Sequence, residues 1–216
     1  MTSDPWISIN CESGVQIIQT FGRPNSSLYG QFNLGLNVGD RSASVMVNRE
    51  RIAALFGAPV YFPNQVHGSD VDELISANQV PKDADAVITS IKGVPIGVLT
   101  ADCLSVVFSN GHQVAVAHAG WRGLVNGVLE NVIESLDASY PISAWLGPCI
   151  GYDSFEVGLE VMDEFLDKFP SSESIARSMS NPNRAHIDLQ QIAVDLLKSS
   201  GIKIIGRLRS CTVLEC

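Results

Sequence analysis

The sequence is poor in basic residues and has no long apolar run. It contains 14 lysines and arginines against 23 aspartates and glutamates, which gives a formal net charge of −9. Because a nucleic-acid-binding surface needs clustered cations, this balance argues against nucleic acid as the main partner. No apolar stretch approaches the roughly 20 residues that cross a bilayer, so no membrane contact is expected. Hydrophobic residues make up 45% of the chain and charged residues 17%, which is typical of a soluble globular protein.

A secretion signal and a disulfide pattern are also missing. Residues 1–6 lack a basic segment followed by an apolar one, so we expect a cytoplasmic protein. The five cysteines are odd in number and irregularly spaced, which favours free thiols or metal ligands over disulfides. No repeat or linker divides the 216 residues, so we expect a single domain over residues 1–216, as a monomer or small homo-oligomer.

Short apolar runs and helical patterns follow each other irregularly along the chain. Apolar runs predict strands at 15–20, 60–62, 84–89, 96–100, 104–108, 114–117, 144–146 and 202–205. Helical spacing predicts helices at 45–56, 125–136, 157–166 and 189–197. The first would be capped by Asp40, Ser42 or Ser44, and the last by Asp188. Because strict βαβ alternation is missing, we favour an α/β (α+β) fold with a mixed β-sheet and flanking helices over a doubly wound parallel sheet.

The stretch at 100–127 carries the clearest chemical pattern. Cys103 and His118 stand at the outer ends of two apolar runs joined by a turn at 109–111, so a β-hairpin would bring them together. Helical spacing follows directly, with Gly120 at the change from strand to helix. The free N–H groups at the start of that helix would favour a thiolate or an anionic substrate group next to His118.

The chain has four histidines, and two of them stand at expected strand ends. His67 and His118 form, with Cys103, a candidate His2Cys metal set. Three protein ligands with a fourth position open to water are typical of a catalytic zinc site. Two other interpretations stay open, a Cys103–His118 nucleophilic dyad or simple packing of a buried cysteine. We expect His112 to be solvated and His186 to be structural.

Asp102 is a further candidate catalytic residue because it precedes Cys103. It would orient a metal ligand or act as an acid or base, and the alternative is a satisfied buried aspartate. The remaining cysteines give weaker signals. Cys149 lies in a turn without a paired histidine, and Cys11 and Cys216 lie near the termini without a functional pattern.

Six short motifs in a fixed order resemble the YfiH or laccase-domain family, from about residue 33 to the C-terminus. They are Q-V-H-G at 65–68, A-D-A at 84–86, T-A-D-C at 100–103, H-A-G-W-R-G at 118–123, L-G-P at 146–148 and C-T at 211–212. The resemblance implies a mixed-sheet α/β/α fold similar to the catalytic domain of cytotoxic necrotizing factor. It also implies that His67, Cys103 and His118 bind a catalytic zinc.

The family's activities set the expected substrates. Members have been labelled polyphenol oxidases, and are more recently described as purine nucleoside phosphorylases with adenosine deaminase and methylthioadenosine phosphorylase activity. The resemblance therefore implies purine nucleosides and phosphate as small-molecule substrates: adenosine, inosine, guanosine and methylthioadenosine. Phosphorolysis needs cations or N–H groups that hold phosphate beside the ribose. Arg122 and Arg49 are our candidates for that role, with Asn33 and Gln65 as polar substrate contacts.

This sequence departs from the family at two places. Relatives usually have a T-R-x-G-G segment before the Asn-Leu-Gly loop, whereas residues 20–23 read T-F-G-R, so the relatives' arginine is absent or displaced. Relatives also usually continue beyond the C-T motif with a S-Y-R-R type tail, and we expect a shorter tail here. Phosphate contacts from either place would differ from those of relatives.

Three other functions compete with this one. A multicopper polyphenol oxidase needs a Cys-His copper centre and a histidine-rich three-copper cluster, and four histidines cannot furnish both, although a His2Cys site could bind copper. A metal-free hydrolase with a Cys103–His118 dyad would be alkylated rapidly whether or not a chelator is present. A nucleoside-binding or partner-binding protein would bind without turnover.

Overall fold

The computed structural model describes residues 4–11, 14–22 and 29–214. Arg23 and Cys216, noted above, lie outside these ranges. The strands are β1 (Trp6–Asn10), β2 (Gln16–Thr20), β3 (Val71–Leu74), β4 (Ala86–Thr89), β5 (Leu104–Ser109), β6 (Val114–Ala119), β7 (Ser143–Leu146), β8 (Glu156–Gly158), β9 (Ile175–Arg177), β10 (Arg184–Ile187) and β11 (Lys203–Arg207). The helices are α1 (Ser42–Phe56), α2 (Trp121–Val125), α3 (Val128–Ser135), α4 (Leu159–Lys168) and α5 (Leu189–Ser199).

The central sheet is mixed, as the irregular order of elements predicts. Its six strands lie in the order β11-β7-β5-β6-β4-β3. The two outer pairs, β3 with β4 and β7 with β11, are parallel, and the inner pairs are antiparallel. Two smaller antiparallel sheets are formed by β1 with β2, and by β8, β10 and β9. The predicted α/β (α+β) fold class is confirmed.

The two faces of the central sheet have different surroundings because side chains alternate along each strand. In β4, Ala86 and Ile88 pack into the main core with helices α2 to α5, whereas Val87 belongs to a smaller cluster on the other face. In β6, Ala115, Ala117 and Ala119 likewise face the helices, and Val116 faces away. By the same period, His118 points to the face away from the helices, where a large cleft lies.

The hairpin at 100–127 forms as predicted, and the helix after it is divided. Strands β5 and β6 pair antiparallel with Leu104 opposite Ala119. The single helix predicted at 125–136 is wrong: Gly127 has a left-handed backbone with φ of 86° and separates α2 from α3. An L residue rarely adopts this conformation, so glycine permits the break.

Two predicted strands in the first half are wrong. Residues 60–62 and 96–100 share only an isolated bridge between Tyr61 and Ile96. Prolines flank this pair at positions 59, 63 and 95, and proline has no N–H to extend a ladder. The short strands β1, β3, β8, β9 and β10 were not predicted, and Val157 lies in β8 instead of the following helix.

Helix α1 begins without the predicted side-chain cap. Its N-cap position is Arg41, and no side chain accepts a hydrogen bond from the first turn. The Asp40 carboxylate instead accepts from the Arg41 backbone N–H and from the Asn33 amide, within the preceding loop. The spacing that predicts this helix places Leu55 on its buried side, but Leu55 is 38% exposed. No helix among the residues described is both long and apolar enough to cross a bilayer.

Asp188 caps α5 as predicted, and its loss should lower stability. Its carboxylate accepts a hydrogen bond from the Gln191 backbone N–H at 2.9 Å. We expect Asp188→Ala to lower the free energy of unfolding by about 0.5–2 kcal/mol, since one N–H of the first turn loses its partner. Urea unfolding followed by circular dichroism measures this change. The matched control is Asp163→Ala at an exposed position of α4, and an equal loss in both variants would contradict the capping role.

Candidate active site

The three side chains of the predicted metal set come together at one end of the central sheet. The ligand atoms of His67, Cys103 and His118 all lie within 4.8 Å of one another. The two imidazole rings have centroids 4.9 Å apart and stand nearly perpendicular, at 83°. His118 is buried, Cys103 is half-buried and His67 is exposed. The group is therefore reachable from solvent on one side and enclosed on the other.

Strand pairing brings Cys103 next to His118. Cys103 immediately precedes β5, and His118 is the last residue but one of β6. Gly120 follows, and a Cβ atom there would lie 3.0 Å from the Cys103 sulfur and 3.6 Å from His118 Nε2. Glycine thus leaves room between two chemically active atoms, where a side chain would crowd both.

His67 occupies a strained turn. Its φ is 60°, and among the described residues it is the one non-glycine residue with positive φ. Such a conformation costs about 1–3 kcal/mol and persists only where surrounding contacts impose it. Here three consecutive backbone N–H groups, of Val66, His67 and Gly68, donate to the Asp85 carboxylate at 3.1, 3.0 and 2.6 Å.

Asp85 also contacts the other histidine. Its Oδ1 lies 2.7 Å from His118 Nδ1, and the aspartate is fully buried at 0% exposure. Asp85 lies in the A-D-A motif at 84–86, and no role was predicted for it. The available signal was a single charge inside the otherwise apolar run at 84–88, since a buried carboxylate needs strong partners.

The electrostatics of the site favour positive charge. Burial alone would lower the pKa of His118, but hydrogen bonds to Asp85 and Cys103, together with their negative charges, raise this pKa to about 9. Burial alone would raise the pKa of Asp85, but hydrogen bonds from His118, Gly68 and Val66 hold it below its usual value. The two partners therefore favour the protonated form of His118.

The three side chains lie on the wall of a cleft of about 1720 Å³. This volume exceeds the roughly 300–1,000 Å³ of a typical small-molecule pocket. The wall also includes Asn33, Gln65, Asp102 and Thr212. The cleft is large enough for a substrate of nucleoside size together with a second small molecule.

Asp102 lies beside the three-residue group and outside it. It is exposed, so the alternative of a buried aspartate is wrong. Its carboxylate accepts a hydrogen bond from the Thr212 hydroxyl at 2.7 Å, and its backbone oxygen accepts from the Ile150 N–H. These contacts connect the start of β5 to the C-terminal segment. A catalytic role for Asp102 stays a prediction.

The predicted polar contacts Asn33 and Gln65 bond to nearby backbone. Asn33 accepts from the Gly35 N–H at 2.8 Å and donates to Asp40. The Gln65 amide donates to the Leu99 oxygen at 2.8 Å and accepts from the Leu99 N–H at 2.7 Å. Both side chains thus fix the loops of the cleft wall in the structure described.

The two predicted phosphate-binding arginines lie on aromatic rings. Arg49 donates to the Leu34 oxygen at 2.8 Å and stacks 4.6 Å above Phe62, which lines the cleft. Burial lowers the pKa of Arg49. Arg122 is exposed and lies 4.4 Å above the ring of Trp121. Neither arginine belongs to the cleft wall, so their contact with phosphate stays a prediction.

The other histidines and cysteines lie apart from the three-residue group. His112 is exposed and stacks on Tyr140 at 3.8 Å, and His186 bonds to the Tyr152 oxygen at 3.1 Å. All four cysteines among the residues described are free thiols, as predicted. Of these, Cys149 and Cys211 face each other across an isolated bridge.

Comparison with known proteins gives consistent results. A family described as "Multi-copper polyphenol oxidoreductase laccase" matches residues 18–216. The purine nucleoside phosphorylase YfiH of Escherichia coli (strain K12) is 39% identical over 193 residues, covering 87% of this chain and 78% of the relative. A purine nucleoside phosphorylase of Haemophilus influenzae is 38% identical over 200 residues, covering 87% and 79%.

A solved structure gives the same result for the fold. The crystal structure of a Neisseria meningitidis protein superposes with a TM-score of 0.88 at 34% identity, covering 98% of this chain and 90% of that one. Sequence and structure agree over most of both chains. The chain belongs to the YfiH or laccase-domain family.

Proposed function

We propose that this protein is a metal-dependent purine nucleoside phosphorylase whose site is His67, Cys103 and His118. The observation that carries the proposal is the convergence of these three ligand atoms within 4.8 Å, on the wall of a nucleoside-sized cleft. The names of the relatives, purine nucleoside phosphorylase at 38–39% identity, support the reaction.

The donor set fits zinc. Two imidazoles and a thiolate are ligands that zinc prefers, and three protein ligands leave a fourth position open. Because Asp85 occupies Nδ1 of His118, Nε2 is the nitrogen that would bind zinc, in place of its hydrogen bond with Cys103, and Gly120 leaves room beside it. When bound, zinc supplies Lewis acidity that polarises oxygen and lowers the pKa of water.

Phosphorolysis exchanges one bond at the ribose for another. A phosphate oxygen bonds to C1′ while the bond from C1′ to the purine nitrogen breaks. The purine leaves with that electron pair and takes up a proton, giving ribose 1-phosphate and the free base. The chain's part is to hold both reactants in the cleft, because alignment of the reacting atoms lowers the barrier. Arg49 and Arg122 remain the proposed phosphate contacts, and each would have to leave its aromatic ring.

Hydrolytic deamination of adenosine is a second reaction that the same donor set suits. Water adds at C6 of the purine and ammonia leaves, giving inosine. In deaminases that act on nucleobases, a zinc held by one histidine and two cysteines, or by three cysteines, activates water, and the His2Cys set here offers the same types of ligand. The two reactions differ in their dependence on phosphate, which separates them in one assay.

A copper-dependent polyphenol oxidase is the alternative that the family's description suggests. A multicopper oxidase needs a histidine-rich cluster besides its Cys-His centre. Within residues 4–11, 14–22 and 29–214, one group of three metal-binding side chains is found, and it uses two of the four histidines. Nucleoside chemistry at a single metal therefore fits the donors better.

Purified protein should contain about one zinc per chain and convert inosine to hypoxanthine only when phosphate is present, since three protein ligands make one zinc site. Elemental analysis and chromatography of the products measure these quantities, and adenosine without phosphate tests deamination. Cys103→Ser should lose metal and activity together. The loss of each should exceed the about 100-fold that follows removal of a residue that only hydrogen-bonds to a metal ligand. Cys11→Ser is the matched control. Retention of metal and turnover by Cys103→Ser would contradict the assignment.

Alkylation separates the metal site from a metal-free Cys-His dyad. We expect iodoacetamide to label Cys103 slowly in the metal-loaded protein and much faster after chelation, because a metal-bound thiolate is protected. Peptide mass spectrometry follows each cysteine.

Two other cysteines provide internal references for this measurement. Burial, followed by nearby negative charges, raises the pKa of Cys149 to about 12, so it should resist labelling throughout. Partial burial would raise the pKa of Cys211, but its hydrogen bonds with the Ser154 hydroxyl and with the Gly151 N–H lower this pKa, so Cys211 should be labelled in both states. Equal labelling of Cys103 with and without chelator would favour the metal-free dyad.

A further inference from the structure

We infer that Asp85 is a positioning residue that sets the geometry of both histidine ligands at once. The inference rests on the metal site of the proposed function and adds a fourth residue to it. It does not depend on which nucleoside is the substrate.

Asp85 accepts four hydrogen bonds, two on each oxygen. Oδ1 lies 3.0 Å from the His67 backbone N and 2.7 Å from His118 Nδ1. Oδ2 lies 3.1 Å from the backbone N of Val66 and 2.6 Å from that of Gly68. An ionised carboxylate has about four lone-pair sites, so its capacity to accept is filled.

The contact with His118 fixes the tautomer of that ring. Because an ionised carboxylate only accepts, His118 Nδ1 must carry a proton, and Nε2 is left as the nitrogen that binds a metal once its own proton is displaced. A carboxylate behind a metal-binding imidazole orients the ring and increases its basicity. The backbones of the two residues are also joined, since the His118 backbone N–H donates to the Asp85 backbone oxygen at 2.7 Å.

The contacts with residues 66–68 fix the turn that carries His67. Three successive N–H groups can point at one carboxylate only if the chain curls around it. This curled backbone places His67 at φ of 60°. Without the hydrogen bonds to Asp85, His67 would adopt a less strained backbone conformation. The Asp85 backbone N–H donates to the Asp70 oxygen at 3.1 Å, which closes the other side of the turn.

Asparagine cannot replace this carboxylate. If its oxygen faces His67 and His118, its NH2 group opposes the N–H groups of Val66 and Gly68. If the amide is reversed, its NH2 group faces His118 Nδ1, and the ring must move its proton to Nε2 and lose the lone pair for the metal. In the reversed orientation the NH2 group also opposes the His67 N–H. Each orientation therefore leaves donors facing each other, which is costly.

Asp85→Asn should therefore bind zinc about 10–100-fold more weakly, as measured by competition with a chelator of known affinity. The matched control is Asp83→Asn, the same change at an exposed position two residues away, and it should bind like wild type. In the cobalt-substituted protein, Asp85→Asn should also change the visible d–d bands, which report ligand geometry. Zinc affinity and cobalt spectra equal to those of Asp83→Asn would overturn the inference.

A second measurement needs no variant and decides the matter if Asp85→Asn does not fold. Nitrogen-proton correlation spectra of the histidine rings in the zinc-loaded wild type should show His118 protonated at Nδ1 and bound through Nε2. A ring bound through Nδ1 would overturn the inference. Failure of the proposed function is distinguishable, because a protein that binds zinc through Asp85-supported histidines but leaves nucleosides intact refutes only the reaction.

Discussion

The candidate site depends on one buried carboxylate, which accepts hydrogen bonds from four donors. Asp85 immediately precedes β4, the strand between β6 and the edge strand β3, and its exposure is 0%. A carboxylate in such a place is costly unless it is fully bonded. The fold meets this requirement with a strained turn and an imidazole, the two elements that carry the histidine ligands. Satisfying Asp85 and assembling the ligand group are therefore the same structural event.

Antiparallel pairing of β5 and β6 brings Cys103 next to His118. The same two strands separate the candidate site from the core under the helices. Alternation along β6 sends alanines toward the helices and His118 toward the cleft. Small residues on the helix side let α2 and α3 pack closely behind the site. Rigid elements thus hold His118 and Cys103, whereas His67 lies on a loop that Asp85 must fix. This division explains why the loop ligand has the unusual backbone.

The sequence predicted the hairpin, the mixed sheet and the convergence of His67, Cys103 and His118, because each depends on local patterns or on motifs in order. It did not predict the role of Asp85 or the left-handed turn at His67, since both arise from hydrogen bonds between residues 17 or more positions apart. Gln65 and Asn33 were expected to contact substrate. Their amides bond to loop backbone, which composition does not reveal, and their contact with substrate stays a prediction.

The chain has a formal net charge of −9, and few of its cations are available to the cleft. Its candidate arginines bind elsewhere in the structure described, Arg49 to a backbone oxygen and Phe62, and Arg122 to Trp121. Positive charge is instead favoured at His118, whose pKa is raised to about 9 by Asp85 and Cys103 despite burial. A divalent cation bound through Nε2 would displace the proton there and would be held by the same negative partners. Asp85 and Cys103, which contact His118, therefore also favour positive charge at this position.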